Sequence, residues 1–192
     1  MNIKPIETIY KGYRFRGRLE ARWAVFFDAL DIEYEYEPEG YEFDDGTRYL
    51  PDFYLKDIQM FVEIKNEHFL KDEKNINYIK MLESFSEGTN CPILLIVGTP
   101  GDKPFSVYLS FADNNGGGLT WMDFVMIGKD KNDGKIYFFH DVFLPDFSIY
   151  SHDFDNELNL ANEPAEGHLL QEDYIQAISK ARQARFEFGE TP

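Results

Sequence analysis

Apolar residues in this chain change their period several times, and each change marks an element. Leu19, Trp23, Phe26, Phe27 and Leu30 recur at the spacing of one buried helical face, which predicts a helix over residues 16–30. Asp31-Ile32 turns the chain into 33–38, where Tyr34 and Tyr36 alternate with acids, and Gly40 with Asp44-Asp45-Gly46 brackets a hairpin. Residues 48–55 and 59–65 read as the next two strands. Asp72 is the expected N-cap of a helix running to residue 85, with Ile76, Ile79 and Leu82 on one side, and the apolar run 92–97 suits a buried central strand. The first hundred residues thus read helix, three strands, helix, strand. Phe105, Val107, Leu109 and Phe111 alternate as a further strand, and residues 121–127 and 135–143 form a hairpin across 129–134. Residues 144–170 are acidic, carry Pro145, Pro164 and Gly167, show no period and read as an irregular wrap; a helix over 171–188 closes the chain. The expected class is α/β (α+β), a mixed sheet flanked by helices and extended by a C-terminal hairpin and helix, in one domain over 1–192 with its extension at 112–192.

Composition is compatible with that single core: 43% of residues are hydrophobic and 17% aromatic, which argues against disorder. The longest apolar run is too short to span a bilayer, and the N-terminus lacks the pattern of a secretion signal, so a soluble, cytoplasmic protein without membrane contact is expected. Cys91 is the single cysteine, which excludes an intramolecular disulfide, and no Cys/His spacing suggests a structural zinc. The formal charge of −16 opposes nucleic-acid binding as a whole, but its distribution is uneven. Residues 10–22 hold Lys11, Arg14, Arg16, Arg18 and Arg22 against Glu20 alone, whereas 31–45 hold eight acids and no base. A second acidic stretch runs from Asp141 to Asp173 without a lysine or arginine.

Within this frame a few side chains carry chemistry. Glu63 and Lys65 lie two apart on a predicted strand and leave the same face, while Val62 and Ile64 leave the other. Asp52 follows Pro51 on the neighbouring predicted strand, close enough in sequence for the strands to pair and bring both carboxylates to one cation. Glu20 falls at the edge of its helix's apolar stripe. The competing reading makes Glu63 and Lys65 an exposed strand pair and Asp52 a turn residue.

Arg18-Leu19-Glu20-Ala21-Arg22-Trp23 and Tyr49-Leu50-Pro51-Asp52-Phe53, followed by Glu63-Ile64-Lys65, resemble a small group of phage and bacterial PD-(D/E)xK proteins, most closely over residues 13–66. The resemblance implies a restriction-endonuclease-like αβββαβ core over 10–111 and Mg²⁺-dependent hydrolysis of phosphodiester bonds in DNA, with Mn²⁺ able to substitute. It implies Glu20, Asp52 and Glu63 as metal ligands, the Ile64 carbonyl completing the shell, and Lys65 as the catalytic lysine. For a phage-encoded chain the location is the host cytoplasm. The acidic C-terminal third has no counterpart in that pattern.

Arg14, Arg16, Arg18 and Arg22 either contact phosphates or neutralise the acids of 31–45. Arg182 and Arg185 either clamp the nucleic-acid backbone or pair with the acidic stretch, and Lys80 is a further phosphate candidate. Tyr10, Tyr13 and Phe15 are candidates to stack on a base. His68, His140, His152 and His168 show no metal or nucleophile spacing, and Gly116-Gly117-Gly118 reads as a turn. Two rivals stand beside the enzyme: an acidic binding or inhibitory protein that imitates DNA toward a basic partner, and a nuclease subunit whose partner supplies the missing positive charge. The sequence leaves the oligomeric state open.

Overall fold

The computed structural model describes residues 6–72, 75–101, 106–110, 119–123, 125–129, 136–140 and 171–186. The chain opens with a hairpin that periodicity does not announce, β1 (Thr8–Tyr10) and β2 (Tyr13–Phe15), paired antiparallel. Its two-residue turn places both Lys11 (φ 45°) and Gly12 (φ 84°) in the left-handed region, the geometry that matches the twist of a tight hairpin. Residues 13–15 being strand, α1 begins at Arg18 (Arg18–Ala29), two residues later than its stripe predicts, after an extended Gly17. Asp31 at φ 56° ends it, and the Ile32 N–H returns to the Phe27 carbonyl at 2.9 Å, so a buried Ile32 seals the helix end.

Strand β3 (Tyr34–Tyr36) leads into a hairpin of β4 (Tyr41–Glu42) and β5 (Arg48–Tyr49), then β6 (Phe53–Leu55) and β7 (Met60–Lys65). The strand expected over 48–55 is broken between Tyr49 and Phe53, where Pro51 has no N–H to give a ladder. A 3₁₀ turn (Phe69–Lys71) precedes α2 (Ile76–Thr89), which starts later than expected: the Asp72 carbonyl accepts the Asn75 N–H at 2.9 Å in the turn before it. Leu82 and Phe85 are buried and Ile79 half-buried, but Ile76 is exposed, against its expected place on the apolar side. Asn90 at φ 51° ends α2 four residues beyond the predicted stop.

Strands β8 (Ile93–Val97), β9 (Ser106–Ser110) and β10 (Leu119–Asp123) complete a six-stranded mixed sheet in the order β10-β9-β8-β7-β6-β3, in which β7 and β8 run parallel and the other neighbours antiparallel. The single strand expected over 121–127 is two: Trp121 lies in β10 and pairs toward β9, while Ile127 lies in β11 (Val125–Lys129) and pairs with β12 (Ile136–His140). The hairpin across 129–134 is present as β11 and β12, but as a separate two-stranded sheet. The last helix, α3 (Gln171–Gln183), ends earlier than predicted. The segment 144–170 lies outside the described residues, as do Gly116-Gly117-Gly118, His152 and His168.

Sheet parity sorts the core. Phe53, Leu55, Met60, Val62, Ile64, Leu94 and Ile96 face a layer made by α1 and by Tyr174, Ala177 and Ala181 of α3. Phe61, Ile93, Leu95 and Val97 face Leu82 and Phe85 of α2 together with Tyr49. No helix among the described residues is long and apolar enough to cross a membrane.

Candidate active site

The parity that builds the core also places Glu63 and Lys65 on the α2 side, at the carboxyl end of β7. β6 and β7 are paired with Phe53 opposite Val62, so the same register carried one step further sets Asp52 opposite Glu63, and another step sets Pro51 opposite Ile64. Two carboxylates facing each other across a ladder repel. Both are nevertheless 2% exposed, which rules out the reading of an exposed strand pair beside a turn residue.

Protein donors meet every one of the four carboxylate oxygens. Asp52 Oδ1 accepts from Arg16 Nη2 at 2.7 Å, and Oδ2 accepts the Ile64 N–H at 2.8 Å. Glu63 Oε2 accepts from the Tyr49 hydroxyl at 2.8 Å, while Oε1 receives both the Tyr78 hydroxyl and Lys65 Nζ. The Lys65 Nζ also sits 4.7 Å from the centre of the Tyr78 ring. Burial, and then the charge of Glu63, push both phenols well above the usual tyrosine range, so each remains a donor. Glu20 accepts the Tyr36 hydroxyl at 2.5 Å, and that hydroxyl accepts the Arg16 N–H at 2.9 Å.

Burial, reinforced by the charge of Glu63 and also by Glu20, raises the Asp52 pKa from 3.8 to about 8, although Lys65 and the Ile64 N–H pull the other way. A carboxyl group whose folded value lies above its unfolded one stabilises the fold fully below about pH 4 and loses that contribution as pH rises through about 8. Asp52→Asn removes the charge at every pH. In chelator, its melting temperature relative to wild type is expected to climb between about pH 4 and about pH 8. A difference that stays flat across that window contradicts the electrostatic account.

Two buried carboxylates on neighbouring strands are oxygen donors of the kind a hard divalent cation takes. Asp52 pairs with Arg16 and Glu63 with Lys65, yet burial and the charge of Glu63 still hold Asp52 above the usual carboxylate range, which further positive charge would relieve. Pro51 has no N–H to give the Ile64 carbonyl, and because the N–H and C=O of one strand residue leave by the same edge, that carbonyl opens on the side where Asp52 takes the Ile64 N–H. Among the described residues, however, no three His, Cys, Asp or Glu side chains are gathered into a group that would hold a metal. Glu20 is therefore not brought into one shell with Asp52 and Glu63. Magnesium needs only one or two carboxylates, the rest being water and substrate phosphate.

The basic residues divide. Of the two roles open to Arg16, phosphate contact or neutralising the acids of 31–45, the structure shows the second for Glu37 and adds Asp52, because the chain ahead of α1 lies beside the loop before β6. Arg14 pairs with Glu7 at 3.6 Å, Arg18 is half-buried with a partner of its own, and Lys80 and Arg185 are exposed. Arg22 and Arg182 both line one cleft. Tyr10 and Phe15 are buried in the core and Tyr13 packs against it, so none of the three is presented for base stacking; their alternation in β1 and β2 faces them inward. His68 lies beside Glu67 at 3.4 Å. Tyr49 and Tyr78 were not anticipated as site residues. Strand alternation two residues before Pro51 gives a signal for Tyr49, whereas Tyr78 arrives only through the docking of α2. Comparison of the chain with protein-family models finds no match, and comparison with curated proteins finds none either.

Proposed function

We propose that the protein is a metal-dependent nuclease that hydrolyses phosphodiester bonds in DNA, with a PD-(D/E)xK arrangement on a restriction-endonuclease-like core. The observation that carries this reading is the meeting of Asp52, Glu63 and Lys65 at one strand end, with both acids buried. The order α1, β3, β6, β7, α2, β8 supports it as well, since it follows the αβββαβ sequence of that core once the small β4–β5 hairpin is set aside.

Asp52, Glu63 and the Ile64 carbonyl are the groups that would hold Mg²⁺. When bound, such an ion supplies Lewis-acid stabilisation of phosphate charge and a more acidic water. The chain's own groups do the rest. Tyr49 and Tyr78 fix the Glu63 carboxylate, the Ile64 N–H and Arg16 orient Asp52, and Lys65 brings positive charge to the place where charge builds on the phosphoryl oxygens. Fixed beforehand in a partly dry site, these groups need little reorganisation during the reaction.

Purified protein is expected to nick or cut plasmid DNA with Mg²⁺, to stop in EDTA, and to recover with Mn²⁺. A folded sample that leaves duplex, single-stranded and branched DNA intact with both metals contradicts the proposal. The acid run favours one other reading: Asp31, Glu33, Glu39, Glu42, Asp44 and Asp45 are all exposed, which suits docking to a basic protein, either as a target or as a subunit that supplies positive charge. A salt-sensitive complex that survives Asp52→Ala, without any cleavage by the complex, favours the binding protein over the enzyme.

A further inference from the structure

A cleft of about 550 Å³ lies at the carboxyl ends of the parallel pair β7 and β8, between α1 and α3, and its wall is continuous with the strand that carries Lys65. Asn66 and Glu67, the next two residues, line it; Gly98 lines it too and donates its N–H to the Lys65 carbonyl at 2.8 Å. The carboxyl ends of parallel strands are where open α/β sheets receive ligands. Arg22 of α1 and Arg182 of α3 are the basic residues in its lining.

Arg22 holds the strongest sign of a missing ligand. Its Nε is buried and finds no hydrogen-bond acceptor among the described residues. A buried charged donor without an acceptor is costly, and the natural remedy is an anion brought in from outside. A guanidinium group is a planar, multidentate donor that suits phosphate oxygens, and this cleft is lined by two of them. Asn66 spends its Oδ1 on the His68 N–H at 2.9 Å, so its amide nitrogen is the donor it has to offer. Glu67 also lines the cleft, and its carboxylate sits 3.4 Å from His68 Nε2 at the rim.

Resting on the hydrolase reading of Asp52, Glu63 and Lys65, we propose that this cleft seats a phosphate flanking the scissile one on the same nucleic-acid strand, held by Arg22 and Arg182. The acids and Lys65 open on the α2 side of the sheet, whereas the cleft opens between α1 and α3. A bound strand therefore passes over the end of β7 and β8 from one face of the sheet to the other. This gives an acidic protein a local positive foothold next to its chemistry, and it sets the register of the strand to be cut.

The test is binding of a fluorescent oligodeoxythymidylate in Ca²⁺, followed by anisotropy at several salt concentrations. Arg22→Gln is expected to weaken binding about tenfold. The slope of log K against log salt should fall by roughly 0.7 for the lost phosphate contact on a single strand. A loss smaller than about threefold with an unchanged slope overturns the proposal, as does a wild type that fails to bind at all. Should Arg22→Gln fail to fold, Arg182→Gln, exposed on α3, is judged by the same criteria. Arginine-dependent binding by a wild type that cuts nothing with Mg²⁺ would sink the hydrolase reading and leave the anion site standing. Cleavage with an unaltered KM in Arg22→Gln would sink the anion site alone.

Discussion

Glu63→Gln is expected to reduce Mg²⁺-dependent cleavage by about 10²–10³-fold while leaving the fold intact. Glutamine keeps the length of the side chain and can still accept from one tyrosine. Its amide nitrogen, however, must replace an oxygen that now meets Tyr49 on one side, or Tyr78 and Lys65 on the other, and all of these are donors. The variant thus loses the negative charge, and a nitrogen in the Oε1 place would meet Lys65, which can only donate. Initial rates on plasmid DNA, measured beside a thermal melt, separate lost chemistry from lost structure. Lys65→Ala and Asp52→Ala should fall in the same way, and retained cutting in any two of Asp52→Ala, Glu63→Ala and Lys65→Ala rules the site out.

The largest expected effect on stability belongs to Phe53→Ala. Phe53 is fully buried next to Asp52 and packs its ring 5.4–6.2 Å, centre to centre, from Phe15, Phe27, Tyr34 and Tyr36. Truncation removes that contact surface and leaves a void walled by rigid rings from β2, α1 and β3, which collapse poorly around it. A cost of about 3–5 kcal/mol is expected, a large part of the roughly 5–15 kcal/mol that holds an ordinary domain together. For a chain of this size the melting temperature should drop by about 6–20 °C. Urea unfolding checks it: a cost below about 1.5 kcal/mol, the range of a volume-conserving swap, contradicts the packing described. Phe53→Leu should recover most of the loss, because it refills the space without the ring contacts.

The elements most legible in the chain were those whose pattern is local. The stripe through Trp23, Phe26 and Phe27 specifies α1, and the alternation Val62, Glu63, Ile64, Lys65 specifies both the faces of β7 and the side on which the chemistry opens. Asp52 was legible as the acid facing Glu63 because its strand neighbours the one that carries Glu63, although the break that Pro51 makes in 48–55 was not. The β1–β2 hairpin was not, since three-residue strands are too short to show a period and the arginines between the aromatic residues read equally well as the start of a helix. Arg16 was legible as a cation but not as the partner of Asp52, a contact spanning 36 positions. Tyr78 escaped for a similar reason, and the division of 121–127 between β10 and β11 depends on which strand each half finds as a neighbour.

The alternation along β7 ties folding and chemistry to the same odd and even numbering. Inserting or deleting one residue between Met60 and Glu63 would invert the strand, driving a carboxylate and a lysine in among Phe27 and Phe53 and turning Val62 or Ile64 out toward Tyr49 and Tyr78. No partial version of such a change exists. Any change of chain length that spares both the core and these carboxylates must therefore fall outside that hexapeptide.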